Sequence, residues 1–362
     1  LSNSDLWLSE QSIFTLLVVH RTENDRIFDY MGLFKKDKLQ IIAFNGYGTP
    51  DRFYVRGRAL EDENIDLGNK GAFKLLINTW KRFETDEIKN TPIRVTIGNH
   101  ITLLGKTDHE GYYLVNEKVE SLSKYINEEG WVKFEISFFD TELKREILNQ
   151  NSFPGKMLIP SIKSKFGVIS DIDDTILHTG VVSSLKWKVI INTIFKRATS
   201  RRPLEGAAEF YHLLHQGKTG QEANPIFYVS HSPWNLYRYL ELFLTTNNFP
   251  KGPILLRSMS SFTRRKRDDK PQKQKEITGI LNTYPELSFI LIGDSGEKDA
   301  DIYIEISKLF PNRVKAIYLR SVSDGRRMSR VSNLFSAHKN IPFLMVNKTE
   351  EAIAHAKEQG FI

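Results

Sequence analysis

The sequence predicts an α/β chain: a Rossmann-like, mostly parallel sheet with helices on both faces, preceded by an antiparallel β-sandwich. Three observations point there. Through residue 140 the pattern is mostly strand-like, rich in β-branched and aromatic residues. After residue 165, short apolar runs alternate with helical segments, as strands joined by crossover helices do. Between the two lies the polar, Pro/Gly-bearing stretch Asn149-Gln150-Asn151-Ser152-Phe153-Pro154-Gly155, which reads as a linker. A chain of 362 residues exceeds one ordinary core, so two domains are expected. The divisions are 1–145 for the sandwich, 146–164 for the linker and 165–362 for the α/β domain.

In the first domain, strands are expected at 14–19, 39–44, 53–60, 93–97, 112–115 and 131–139. The last alternates, with Val132, Phe134, Ile136 and Phe138 on one face and Lys133, Glu135 and Ser137 on the other. Thr107-Asp108-His109-Glu110-Gly111 signals a turn. A helix over about 69–83 carries Phe73, Leu76, Ile77 and Trp80 at helical spacing, and core packing accounts for the domain's aromatics. In the second domain the expected strands are 166–169, 226–229, 254–256, 289–292, 316–319 and 343–346. In such folds chemistry gathers at the carboxyl ends of the strands. No internal repeat is visible.

Composition narrows the function classes. The absence of cysteine excludes disulfides, thiolate zinc sites and a cysteine nucleophile, and fits a reducing, cytoplasmic setting. No apolar stretch approaches the roughly 20 residues that span a bilayer. The opening Leu-Ser-Asn-Ser-Asp-Leu-Trp lacks the basic and apolar segments of a secretory signal. A net charge of +7 favours an anionic partner: a phosphate-bearing metabolite, a nucleic acid or a membrane surface. No nucleic-acid reader motif accompanies the charge, so nucleic acid is not expected.

The chemistry-bearing segment is Ser170-Asp171-Ile172-Asp173-Asp174-Thr175 at the end of an apolar strand. Carboxylates packed side by side repel, and burial strengthens the repulsion. A hard divalent cation with oxygen ligands, Mg²⁺ first, is the usual compensation. The i, i+2 pair also suggests a division of labour, one acid attacking and the other moving protons. Further strand ends carry Ser230, within Tyr228-Val229-Ser230-His231-Ser232-Pro233-Trp234-Asn235-Leu236, and Asp294, within Gly293-Asp294-Ser295-Gly296-Glu297-Lys298-Asp299. Between them lies Lys270-Pro271-Gln272-Lys273-Gln274-Lys275, just before the helical run Ile277, Ile280, Leu281.

Acid pair, hydroxyl, lysine and acid in that order resemble the haloacid dehalogenase superfamily of phosphohydrolases. Ser170 to Ile176, Tyr228-Val229-Ser230 with Ser232 to Leu236, and Leu291-Ile292-Gly293-Asp294-Ser295-Gly296 narrow the likeness. They resemble the magnesium-dependent phosphatidate phosphatase family named after a yeast actin-patch protein, from about Lys165 onward. Gly46-Tyr47-Gly48-Thr49 and Val55-Arg56-Gly57-Arg58 are more loosely similar to the small β-domain that precedes this catalytic domain in bacterial members. Family members carry a histidine directly before the lysine, where this chain has Gln272. Lys273 is assigned by its spacing to Ile277 and Tyr284-Pro285, and Lys270 and Lys275 stay open.

The resemblance implies an aspartyl-phosphate mechanism: Asp171 attacks phosphorus, and Asp173 protonates the leaving group and then activates water. It implies that Ser230 and Lys273 hold the phosphoryl oxygens, with Mg²⁺ between Asp171, the Asp173 carbonyl and Asp294. Asp299 is expected to bind the metal through water or to support Asp294; Asp174 and Thr175 are expected to order the loop. Plainer readings stand beside these: turn acids at 171 and 173, a strand-end cap at Ser230, a solvated helix residue at Lys273. His231 between two serines lacks a Gly-x-Ser-x-Gly elbow, so a serine hydrolase is not expected. His212 and His215 read as satisfied surface residues rather than metal ligands.

Between Asp173 and Ser230 there is room for a flap near 178–182 and two helices, but not for a globular cap. An open site suits a substrate that seals it, such as a lipid headgroup at a membrane. Residues 185–195, with Lys186, Lys188, Lys196 and Arg197 nearby, read either as a basic amphipathic helix on anionic lipid or as core packing. Arg264-Arg265-Lys266-Arg267 adds a cationic patch or a solvated loop. The expectation is therefore a cytoplasmic, peripherally membrane-associated Mg²⁺-dependent phosphatase with phosphatidate as leading substrate. A soluble phosphomonoester or phosphoprotein substrate, and a non-catalytic membrane adaptor, are the alternatives. No partner is assigned to the first domain.

Overall fold

The computed structural model describes residues 38–62, 87–98, 100–139, 143, 145–172, 206–257, 270–295, 298–321, 325–336, 338 and 342–362. The strand expected at 14–19, the helix at 69–83, Asp173 to Thr175, the flap, the 185–195 segment and the 264–267 patch lie outside them.

Among the described residues, eight strands build the first part: β1 (Lys38–Ala43), β2 (Gly46–Tyr47), β3 (Arg52–Asp62), β4 (Pro92–Ile97), β5 (Ile101–Lys106), β6 (Tyr112–Lys118), β7 (Trp131–Phe138) and β8 (Phe153–Leu158). They form a three-stranded sheet, β1-β3-β6, and a five-stranded sheet, β2-β8-β7-β4-β5. All pairings are antiparallel except the short β2–β8 pair. One cluster of buried side chains draws on both sheets, with Phe53, Val55, Val95, Val132, Phe134 and Ile136 at its centre.

β8 falls inside the stretch read as a linker, so residues 153–158 within it are a paired strand of the five-stranded sheet. Phe153, Gly155 and Met157 are buried while Pro154 is exposed, the period-2 pattern of a half-buried strand. Proline is tolerated there because β2 pairs only with Met157 and Leu158, so β8 is an edge strand at Pro154.

The second part runs β9 (Gly167–Asp171), α1 (Ala207–Gln216), β10 (Ile226–Pro233), α2 (Tyr237–Thr246), β11 (Ile254–Arg257), α3 (Gln272–Thr283), β12 (Phe289–Asp294), α4 (Asp299–Leu309), β13 (Val314–Arg320), α5 (Gly325–Ser336), β14 (Phe343–Val346) and α6 (Thr349–Glu358). Its six described strands are all parallel, in the order β11-β10-β9-β12-β13-β14. Alternate residues feed opposite layers. Val168, Tyr228, Ile290 and Ile292 pack with α1, α2 and α6, whereas Ile169, Phe227, Leu291 and Ile317 pack with α3, α4 and α5. Strands buried on both faces are the expected signature of a parallel sheet covered by helices.

The chain order reverses at β9, with β10 on one side and β12 on the other. Ligand sites in open α/β sheets form at such a switch point, beyond the carboxyl ends of the strands. The two parts share buried surface: Phe44 stacks on Trp234 with ring centroids 4.5 Å apart, and Tyr47 packs edge-on against Phe227. Among the described residues, no helix is long and apolar enough to cross a membrane.

Candidate active site

Asp171 closes β9, a strand buried along its whole length, and is itself 1% exposed. Ser170 braces this end: its hydroxyl donates to the Asp171 carbonyl at 2.7 Å and accepts from the Tyr211 hydroxyl on α1 at 2.5 Å. Burial raises the Tyr211 phenol above its ordinary pKa, so it remains a donor rather than a proton carrier.

Across the switch point, β12 ends in Asp294, fully buried. Gly293 before it is required by close approach, because a Cβ there would collide with Asp299 Oδ2 and with the Tyr303 ring. Asp299 opens α4, where a carboxylate is favoured by the helix dipole. Its Oδ2 accepts from the Asp294 backbone N–H at 3.3 Å. Tyr303, one turn further along α4, donates its hydroxyl to the Ile292 carbonyl at 2.8 Å. Its pKa is raised by burial, and the Asp299 charge adds to that rise.

Lys273 enters from α3. It lies four residues before Ile277 and seven before Ile280, on the helix's buried face. Its ammonium, 1% exposed as a residue, sits 2.8 Å from Asp171 Oδ1 and 2.5 Å from Asp299 Oδ1. Lys270 and Lys275, the other two candidates, are exposed. Ser230 was expected at a strand end but is buried within β10, which runs on to Pro233; it stands one residue beyond the Val229–Asp171 register pair, where pairing with β9 stops, and its Oγ accepts from the Ser232 N–H at 2.8 Å.

Asp171, Lys273, Asp294 and Asp299 thus converge on one point, with Ser230 on the adjoining strand. The ligand oxygens of Asp171, Asp294 and Asp299 lie within 4.8 Å of one another. The donor set is all oxygen, three buried carboxylates to one ammonium, the chemistry that suits a hard divalent ion such as Mg²⁺. Asp173 lies outside the described residues. The two histidines do not join the cluster: His212 Nε2 donates to the Asn248 carbonyl and His215 Nδ1 to the Asn224 carbonyl, each at 2.7 Å.

Residues 166–321 match the family model described as phosphatidate phosphatase APP1, catalytic domain. Over 286 residues, covering 74% of this chain and 45% of the relative, the chain is 29% identical to phosphatidate phosphatase APP1 of Saccharomyces cerevisiae. Over 278 residues it is 25% identical to an uncharacterized protein of Schizosaccharomyces pombe, covering 74% of this chain and 41% of that protein. The chain therefore spans less than half the length of the curated relatives it matches. Both alignments exceed the 156 residues between 166 and 321, so the likeness to these proteins extends outside the matched catalytic domain.

Sequence reasoning did not single out Glu276 or Tyr211, and it quoted Ser170 only as the first residue of the acid motif, with no role of its own. Glu276 carried a readable signal: it lies three residues after Lys273 and one before Ile277, an acid on the same inward stripe. Ser170 and Tyr211 are joined only by the packing of α1 on the sheet, and no local pattern announces that pair.

Proposed function

We propose that this chain is a Mg²⁺-dependent phosphatase that hydrolyses a phosphomonoester, with phosphatidate to diacylglycerol as the leading reaction. The observation that carries it is the Lys273 ammonium held between Asp171 and Asp299 at the carboxyl ends of a parallel sheet, with Asp294 beside them. On this reading residues 165–362 are a haloacid dehalogenase-type catalytic domain with a minimal cap. Residues 1–145 form a sandwich-like domain, with 146–164 leading from one to the other.

Asp171, the Asp173 carbonyl and Asp294 would hold the Mg²⁺, with Asp299 in reserve. When bound, the ion supplies positive charge to the phosphoryl oxygens, the main requirement of phosphoryl transfer. The chain's own groups do the rest. A carboxylate oxygen of Asp171 attacks phosphorus, the bond to the ester oxygen breaks, and Asp173 gives its proton to the departing alkoxide. Asp173 then takes a proton from water, the hydroxide attacks phosphorus, and the Asp171–phosphorus bond breaks to release inorganic phosphate. Lys273 and Ser230 hold the phosphoryl oxygens, and Asp299 fixes the lysine.

The lipid assignment rests on the likeness to the yeast phosphatase and on the basic balance of the chain, which favours an anionic surface. It implies a peripheral, cytoplasmic protein that meets its substrate at the membrane. Phosphate release from phosphatidate vesicles and from a soluble phosphomonoester panel, with and without Mg²⁺, tests it. Mg²⁺-dependent release that is fastest from the vesicles is expected. Faster release from the soluble panel would refute the lipid assignment.

A further inference from the structure

The first part of the chain grips the helix that delivers Lys273. Arg56 on β3 places its guanidinium 2.9 Å from Glu276 Oε1 on α3, and the Glu276 side chain is only 6% exposed. The Gln272 amide donates to the same oxygen at 2.8 Å, so the residues flanking Lys273 in the first turn are tied to Arg56 through one carboxylate. Burial is the largest influence on the Arg56 charge and works against it, but the Glu276 carboxylate together with Tyr54 and Tyr47 offsets it and leaves the guanidinium above its ordinary pKa. At the other end of α3, the Tyr284 hydroxyl donates to the Gly48 carbonyl at 3.0 Å. Tyr47 packs beside that bond, against both Tyr284 and Phe227.

We propose that Arg56 and Glu276 are positioning residues, through which the β-rich part sets the placement of the Lys273 ammonium. This rests on the phosphatase reading above and gives the Gly46-Tyr47-Gly48 and Val55-Arg56-Gly57 segments a task within it. A helix carrying a buried lysine between two carboxylates must resist the shifts those charges favour. Small misplacements of a charge-stabilising group are costly in rate. Two anchors, one charged at the N-terminal turn and one hydrogen-bonded at the C-terminal end, restrain α3 against sliding along the sheet.

The test uses Arg56→Ala, Arg56→Lys and Glu276→Gln in the full chain, with kcat and KM on phosphatidate vesicles. Arg56→Ala is expected to lower kcat about tenfold with KM changed less than about twofold. Arg56→Lys is expected to recover most of the loss. Arg56 lines an accessible cleft of about 750 Å³ between β3 and α3, so added guanidinium is expected to restore part of the Arg56→Ala rate. Glu276→Gln, which keeps the shape of the contact, decides the matter if Arg56→Ala fails to fold. Folded variants with kcat within about twofold of the parent, or a loss confined to KM, would overturn the proposal. Amide hydrogen exchange over 272–276 separates this failure from that of the phosphatase reading. If the parent shows no turnover, the phosphatase reading falls, while faster exchange in Arg56→Ala still supports the clamp and unchanged exchange sinks it.

Discussion

Two clusters of buried polar side chains, one in each part of the molecule, are built on opposite principles. In the β-rich part, Thr107 Oγ donates to the Ile88 carbonyl at 2.7 Å and accepts from the Thr91 N–H at 2.9 Å. That cluster is neutral, and it ties the start of β4 to the end of β5, at the end of the pair away from their turn. At the carboxyl end of the parallel sheet, by contrast, three buried carboxylates face one buried ammonium. Buried charge is expensive, and removing one partner leaves the remainder uncompensated. A neutral, satisfied cluster therefore marks structure, whereas a charged and crowded one marks a place where stability was given up for chemistry.

The sharpest way to break that contrast is to remove the ammonium. Lys273→Met should lower turnover by at least about a hundredfold if, as proposed, its charge faces the phosphoryl oxygens. It should also destabilise the metal-free protein by about 3–5 kcal/mol, the cost of splitting a buried ion pair. Thermal melts with and without Mg²⁺ check the second half, and added Mg²⁺ should recover more stability in the variant than in the parent. A variant as stable and active as the parent would show that the charged cluster is merely another packed core.

The converse substitution is Thr107→Val, which orphans two buried backbone partners. It should cost about 1–3 kcal/mol by denaturant titration and leave the turnover of the folded protein unchanged. A loss of activity beyond the loss of folded protein would erase the distinction between the clusters.

The smallest effect concerns the like-charged pair Lys251 and Lys156. Burial, followed by contact with Lys156, lowers the Lys251 pKa to about 8 from 10.5. The folded state thus disfavours the charged amine, so between about pH 8 and 10.5 the unfolded chain binds more protons and stability rises with pH. Lys251→Gln should melt about one degree higher at pH 7, with the gain fading across that window. The amine is partly exposed and therefore screened, and its stacking 4.6 Å over Trp131 offsets part of the cost. A gain that grew above pH 8 would reverse the assigned sign.

Much of this was legible in the residues themselves. The parallel sheet announced itself because strands such as Phe289–Asp294 are apolar on both faces. The acid at each strand end could be placed as soon as the strand was. The spacing to Ile277 and Tyr284-Pro285 favoured Lys273 but left Lys270 and Lys275 open, because which lysine is buried depends on how α3 packs on the sheet. β8 was hidden by Pro154 and Gly155, which read as part of a linker until β2 is seen to pair only beyond them. The clamp on α3 was hidden for a different reason. Arg56 and Glu276 are separated by 220 residues, and only the docking of the two parts brings them together.

In the proposed mechanism Asp171 is the group that is covalently phosphorylated. Acid quenching during turnover of a radiolabelled phosphomonoester, followed by peptide mapping, tests this directly. Label on the peptide containing Asp171, lost together with turnover in Asp171→Asn, is the expected result. Continued hydrolysis by Asp171→Asn, or label captured on another side chain, would contradict it.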